Sequence, residues 1–200
     1  METIHQNLHP ILYTGYVVIV NQEGWFVKLN ESLTPIDKND FSFSNNGNKV
    51  NFDCAYITIH GTPGEDGKLQ GYFDMIGIPY NSCSQKASAL TFDKWLNNQV
   101  LLNNGFNCAK SILFNDRSAL FNSKEIVAKL GLPCFVKPND GGSSFGISKV
   151  KEEIQLIPAI NRAFADGNIA GFCFILLESS VQTYICIQKH TYCMCVVCSC

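Results

Sequence analysis

The chain has 200 residues, enough for one large or two small domains with a sizeable core. A formal net charge of −2, with 16% charged residues, argues against the basic surface needed to bind nucleic acid or an anionic membrane. No apolar run approaches the roughly 20 residues that span a bilayer, and the start lacks the basic and apolar segments of a signal peptide. These features predict a cytoplasmic protein with no nucleic acid and no membrane among its partners.

The first part of the chain alternates between strand and helix patterns. Strands are predicted at 13–20 and 24–29, then a polar, turn-rich loop over 34–53, a buried strand at 54–60, a helix at 67–75 and a short strand at 77–80. This alternation predicts an α/β domain with a parallel sheet.

The second part mixes helices with a strand hairpin and predicts an α+β domain. Helices are predicted at 91–106, at 123–131 with Ser123 as N-cap, and at 158–167, and strands at 111–114, 134–138, 147–150 and 172–178. A glycine-serine loop joins the second and third of these strands, which indicates a hairpin.

The stretch "HGTPGEDGKLQG", residues 60–71, follows a predicted strand and leads into a helix. Its glycines allow a tight turn, so one interpretation is purely structural, with Glu65 and Asp66 capping the helix. A lone histidine such as His60 is more often a satisfied, half-buried side chain than a ligand. The alternative interpretation is a ligand site at the end of the strand.

The stretch "VKPNDGGSSFGIS", residues 136–148, combines a lysine at a strand end with a loop of glycines and serines. The loop offers backbone amides and hydroxyls to an anion, but it is neither a P-loop nor a dinucleotide fingerprint. A plain hairpin turn would explain the glycines equally well. Lys137, together with Lys94 earlier in the chain, favours an anionic ligand.

Both stretches resemble signatures of the D-alanine–D-alanine ligase family, a group of ATP-grasp ligases. "DMIGIPYNSC", "ALTFDKW" and "FILLE" follow in the family's order, and the resemblance covers roughly residues 10–178. It implies an incomplete N-terminal α/β domain at 1–92 and the small ATP-grasp subdomain at 93–178. The nucleotide of such ligases lies between two α+β subdomains.

The resemblance also implies roles for individual residues. Lys94 and Lys137 match lysines that contact ATP phosphates, and Glu178 matches an acidic residue beside the adenine. Ser143 and Ser144 match a mobile loop that closes over the phosphates, and Ser143 is expected to act in catalysis. His60 and Glu65 match the catalytic subsite for the first D-alanine.

The implied reaction belongs to peptidoglycan synthesis. ATP with Mg²⁺ phosphorylates the carboxylate of one D-alanine, and the amine of a second D-alanine then attacks the acyl phosphate and expels phosphate. The resemblance implies a homodimer for full-length members, and D-lactate is an alternative second substrate.

The sequence departs from the family pattern at both ends. The family's first strand and its glutamate for the first D-alanine are missing, so we expect an empty sheet position with an exposed edge. The family's metal ligands, which lie after Glu178, are also missing, and no metal ligand is assigned in this chain. We therefore expect no ligase activity from these 200 residues, with nucleotide binding alone as the alternative.

Cysteine is concentrated in an anomalous tail, residues 179–200. Residues 1–172 contain four cysteines and residues 173–200 contain six. The change in composition favours a shift of reading frame. The alternative is a zinc or copper(I) site, built from soft ligands at metal-binding spacings: His190, Cys193, Cys195, Cys198 and Cys200.

Overall fold

The computed structural model describes residues 5–115, 121–141, 146–166, 171–174 and 196–199. The chain divides into two compact units, Met1–Ala89 with Lys189–Cys200, and Leu90–Gln188. The domain bounds predicted at 92 and 178 stay predictions. In the ranges just given, no helix is both long and apolar enough to cross a membrane.

The described part of the first unit is built on a seven-stranded sheet with helices beside it. Its strands are β1 (Thr14–Val20), β2 (Trp25–Leu29), β3 (Ser32–Asp37), β4 (Ser42–Asn45), β5 (Asn48–Val50), β6 (Cys54–Tyr56) and β11 (Val196–Ser199). Helix α1 spans Lys68–Ile76, and α2 (Gln85–Phe92) ends beyond the division between the units.

The strand pairing shows that the prediction of a parallel sheet is wrong. The strand order is β5-β4-β3-β2-β1-β11-β6, and each of these pairs is antiparallel. Parallel pairing occurs at the bridge between Ala55 and Tyr80, in place of the strand predicted at 77–80. Tight turns join β1 through β5, and a tight turn can connect only antiparallel neighbours.

Residues 34–53, predicted as a loop, contain most of β3 and all of β4 and β5. Asn46 and Gly47 connect β4 to β5, and their φ angles of 50° and 80° fit a type I′ hairpin turn. Phe41 and Phe43 from this segment are buried in the core. The segment is therefore an ordered edge of the sheet.

The sheet position between β1 and β6 is occupied by β11. Val17 pairs with Val196 on one side, and Tyr56 pairs with Val196 on the other. We expected an empty sheet position with an exposed edge, and among the described strands the position between β1 and β6 is filled. The neighbouring tail residues 179–195 and Cys200, including four of the five candidate metal ligands, lie outside the described residues.

Aromatic side chains form much of the core of the first unit. Phe41 packs edge-on against Phe73 of α1, with ring centroids 4.9 Å apart, and Phe43 stacks on Phe52. Helix α1 buries Leu69, Gln70 and Phe73. This packing fixes α1, and with it the loop that precedes α1, against the sheet.

The second unit has its own four-stranded antiparallel sheet and core. Its elements are α3 (Lys94–Asn103), β7 (Ser111–Leu113), α4 (Ser123–Leu130), β8 (Cys134–Pro138), β9 (Ser148–Val150), a 3₁₀ turn (Glu153–Gln155), α5 (Leu156–Asp166) and β10 (Gly171–Phe174). The strand order is β7-β10-β8-β9. The pairing of Cys134 with Val150 confirms the predicted hairpin, and residues 175–178 lie outside the described ranges.

Candidate functional site

The loop between β6 and α1 is folded tightly on itself. The amides of Gly64 and Glu65 both donate to the carbonyl of Gly61, at 2.9 Å each. A Cβ at Gly64 would lie 2.4 Å from the carbonyl oxygen of Ile59. Only glycine therefore fits at this point, and the turn is fixed by its backbone.

Glu65 stabilises the turn through its carboxylate. Its Oε2 accepts a hydrogen bond of 2.7 Å from the amide of Gly61, and its Oε1 lies 4.0 Å from Nδ1 of His60. The His60 side chain is 60% exposed and that of Glu65 is 27% exposed. The structure thus brings the two predicted subsite residues together, with an imidazole open to solvent beside a half-buried carboxylate.

The alternative role of Glu65 and Asp66 as helix caps is half right. Asp66 Oδ1 accepts from the amide of Lys68, the first residue of α1, at 3.2 Å, and Oδ2 accepts from the hydroxyl of Thr62 at 2.8 Å. Glu65 turns back to Gly61 instead, so only Asp66 serves the start of the helix.

Gln70 supports the same loop and was not singled out from the sequence. This residue is 1% exposed, and its Nε2 donates to the carbonyl of Gly64 at 2.7 Å and to Oγ of Ser82 at 2.9 Å. Its position between Leu69 and Phe73 on the buried face of α1 was a readable signal, because a buried amide needs partners.

A second group of polar residues forms where α3 meets the end of β8. Nζ of Lys94 donates to the carbonyls of Asn139 and Gly141, at 2.9 Å each. Lys137 lies two residues before Asn139, in β8. Both predicted phosphate-binding lysines therefore belong to one group in the second unit.

Burial lowers the pKa of both lysines. Desolvation lowers the pKa of Lys94, and the nearby carboxylates of Asp140 and Asp93 partly oppose this shift. Desolvation and the positive charge of Lys94 together lower the pKa of Lys137 to about 8. A bound anion would stabilise the charged forms of Lys94 and Lys137, because its negative charge offsets both the desolvation of the two ammonium groups and their mutual repulsion.

Asp140 is the acidic member of this group. Its Oδ1 is buried and has no hydrogen-bond partner among the described residues.

The described residues contain no group of three His, Cys, Asp or Glu side chains that converge as a metal site would require. The predicted residues Ser143, Ser144 and Glu178 lie outside the described residues. His60 and Glu65 belong to the first unit, and the two lysines belong to the second.

Two models of protein families match the chain. The D-ala D-ala ligase N-terminus matches residues 2–83, and the D-ala D-ala ligase C-terminus matches residues 101–170. The two matches include His60, Glu65 and Lys137.

Curated relatives extend the match at the level of sequence. A D-alanine–D-alanine ligase of Parabacteroides distasonis is 57% identical over 157 residues, which cover 78% of this chain and 47% of that protein. One of Azobacteroides pseudotrichonymphae is 46% identical over 181 residues, which cover 90% of this chain and 54% of that protein. The chain spans about half the length of the curated relatives it matches.

Solved structures extend the match at the level of fold. D-alanyl-alanine synthetase A of Vibrio cholerae is 27% identical and superposes with a TM-score of 0.70. The match covers 82% of this chain and 49% of the synthetase chain. The VanG D-Ala:D-Ser ligase of Enterococcus faecalis is 27% identical and superposes with a TM-score of 0.74. This match covers 88% of this chain and 57% of the VanG chain. The predicted α/β class and its relation to the ATP-grasp ligases are confirmed, and the chain belongs to the D-alanine–D-alanine ligase family.

Proposed function

We propose that the group around Lys94 and Lys137 binds the phosphates of ATP, and that the loop of His60 and Glu65 contributes to D-alanine binding. The reaction that we propose for the whole protein is the ATP-dependent joining of D-alanine to a second D-alanine, D-serine or D-lactate for peptidoglycan synthesis. The observation that carries this proposal is the pair of half-buried lysines, of which Lys94 is held by the carbonyls of Asn139 and Gly141.

The charges of the second unit support the phosphate-binding half of the proposal. Phosphoryl transfer requires positioning and neutralisation of developing negative charge, and ammonium groups fixed in a partly dry site supply both. Lys137 with its lowered pKa becomes fully charged when an anion lies beside it, since the anion favours the ammonium form. Ser143 and Ser144, next along the chain, are proposed to add hydroxyl donors.

The geometry of the first unit supports the D-alanine half. A D-alanine ammonium needs an anionic partner and its carboxylate needs a donor. Glu65 offers a carboxylate on a rigid turn, and Nδ1 of His60, whose side chain is 60% exposed, lies 4.0 Å from that carboxylate. We propose that these side chains orient the amino acid.

We propose Mg²⁺ as the ion that accompanies ATP, as the resemblance implies. The described residues hold no converging group of carboxylates, imidazoles or thiolates that would bind it. Glu178 as an adenine contact and the homodimer are proposals drawn from the resemblance, and the cytoplasmic location is a proposal drawn from the composition and the start of the sequence. The second substrate stays open between D-alanine, D-lactate and D-serine, the last named for VanG.

The test is a calorimetric titration of the chain with ATP. Lys94→Ala and Lys137→Ala are each expected to weaken binding at least tenfold, since each removes one charge-assisted contact worth about 1.5–3 kcal/mol. Lys129→Ala removes an exposed lysine of α4 in the same unit and serves as the matched control. Equal affinities in all three variants would contradict the phosphate site.

Phosphate release separates ligation from nucleotide binding alone. The chain is incubated with ATP, Mg²⁺ and D-alanine, and inorganic phosphate is measured with and without the amino acid. We expect no D-alanine-dependent release from these 200 residues. Release that Glu65→Ala abolishes would contradict this expectation and support ligation by these residues. ATP binding without release would support the binding-only alternative.

A further inference from the structure

The first turn of α3 is capped from a distant part of the chain. The amides of Lys94, Trp95 and Leu96 precede the first intrahelical hydrogen bond, from Asn97 to Asp93, so each needs an external acceptor. Leu96 bonds to Oδ1 of its own N-cap residue, Asp93, at 2.8 Å. The other two amides both bond to Asn139.

Asn139 supplies two different acceptors to this turn. Its side-chain Oδ1 accepts from the amide of Trp95 at 2.8 Å, and its backbone carbonyl accepts from the amide of Lys94 at 3.4 Å. Asn139 is 3% exposed, so its carboxamide is shielded from water. The start of the helix and the end of β8 are therefore held in fixed register.

The same residue also receives the side chain of Lys94. Nζ donates to the Asn139 carbonyl and to the Gly141 carbonyl. Asn139 therefore contacts both ends of Lys94, its amide and its ammonium. If the carboxamide were removed, the half-buried amide of Trp95 would lose its acceptor, and the first turn of α3 would be free to shift with Lys94 on it.

We propose that Asn139 is a positioning residue, which holds the first turn of α3 so that the Lys94 ammonium is fixed beside Lys137. Its contact with the ligand is indirect, through Lys94. The ligand identity rests on the proposed function, whereas the positioning of Lys94 rests only on the hydrogen bonds around Asn139.

Three variants test this inference in the full chain. Asn139→Ala removes the acceptor for Trp95, and Asn139→Asp keeps an acceptor oxygen of the same reach. Asn98→Ala is the matched control, because Asn98 is also a buried asparagine of this unit, 8% exposed, and bonds to Ala109 and Ser111 instead. This control shows how the loss of a buried carboxamide changes amide exchange, lysine titration and ATP binding when the contacts of Lys94 are intact.

Three measurements are made on each variant. Hydrogen exchange of the Trp95 amide reports the cap, NMR titration of the lysine ε-carbons reports the environment of Lys94 and Lys137, and calorimetry with ATP reports the ligand. In Asn139→Ala we expect roughly tenfold faster Trp95 exchange, a Lys137 titration moved toward its ordinary range, and roughly tenfold weaker ATP binding. Asn139→Asp should keep the Trp95 protection.

The outcomes distinguish the inference from the proposed function. If Asn139→Ala matches Asn98→Ala in lysine titration and Trp95 exchange, Asn139 does not position Lys94 and the inference is overturned. If the wild-type chain binds no ATP while Asn139→Ala still shifts the lysine titrations, the phosphate proposal fails and the positioning role stands. If Asn139→Ala does not fold, loss of Trp95 protection in the folded Asn139→Asp variant would overturn the inference, and retained protection would support it.

Discussion

Glu65 reaches back four residues to hold the backbone of Gly61, with 2.7 Å between Oε2 and the amide nitrogen. This hydrogen bond joins a charged acceptor to a backbone donor and closes the turn that carries His60. This hydrogen bond fixes the Glu65 carboxylate in position before any ligand binds. A preorganised side chain of this kind lowers the reorganisation cost of binding.

Glu65→Ala should therefore destabilise the first unit even without a ligand. We expect a loss of about 1–2 kcal/mol in the free energy of unfolding, because a hydrogen bond to a charged group is lost at a half-buried site. Urea unfolding at neutral pH measures it. Glu65→Gln keeps the acceptor oxygen and should lose less than half as much, so equal losses in the two variants would contradict a role for this bond.

Gly64→Ala should be the more damaging of two glycine substitutions in the first unit. Its Cβ would lie 2.4 Å from the backbone oxygen and 2.6 Å from Cβ of Ile59, and backbone atoms cannot yield as a side chain can. We expect a loss of about 1–3 kcal/mol from overpacking, measured by thermal or urea unfolding.

Gly77→Ala provides the comparison for Gly64. Gly77 ends α1 with φ of 75°, but an added Cβ meets nothing within 4 Å. Only the backbone strain of the left-handed conformation remains, about 1 kcal/mol. A larger loss at Gly77 than at Gly64 would show that the turn after Ile59 is looser than described.

Lys137 should give the protein a pH dependence in the alkaline range. Its pKa of about 8 in the folded state lies below the ordinary value of 10.5, so between these values the unfolded chain binds more protons. The free energy of unfolding should therefore rise with pH across this window, and the penalty of the buried charge is fully present below pH 8. Anion binding should weaken over the same range as the ammonium loses its proton.

The contribution of Lys137 is isolated by difference. Stability and ATP affinity are measured from pH 7 to 10 for the wild-type chain, for Lys137→Met and for Lys129→Met as the exposed control. The difference between wild type and Lys137→Met should change with pH, and Lys129→Met reports the effect of losing an exposed lysine of the same unit. A flat difference between wild type and Lys137→Met would place the Lys137 titration outside this range.

Local sequence patterns were sufficient for the elements whose signals lie within a few residues. The helix predicted at 123–131 was found at Ser123–Leu130, but Asn122 caps it through the amides of Lys124 and Glu125. Two adjacent residues were both suitable caps, and sequence alone does not choose between them. In the same way, the helix predicted at 91–106 is divided at Asp93, whose side chain caps α3.

Long-range contacts explain most of what the sequence did not predict. Strands β4 and β5 carried one local signal, the Asn46-Gly47 pair, which the polar composition around it obscured. Asn139 carried none, because its partner Trp95 lies 44 residues away. The place of β11 beside β1 and β6 was equally invisible, since strand pairing depends on which edges the rest of the chain leaves open.

Val197→Pro should disrupt the sheet of the first unit. Strand β11 is an interior strand, paired on both sides, and proline removes a ladder donor there. We expect a loss of at least about 3 kcal/mol, with faster hydrogen exchange in β1 and β6. Val197→Ala keeps the backbone donor and is the control. If proline and alanine behave alike, β11 does not hold this place in solution.

The position of β11 also has a consequence for how the polypeptide is made. About 140 residues separate β6 from its neighbour in the sheet, so both β1 and β6 leave the ribosome long before the strand that joins them. During that interval each presents an unpaired edge, which is a template for association with other nascent chains. The first unit is therefore most vulnerable to aggregation during synthesis, before β11 is made.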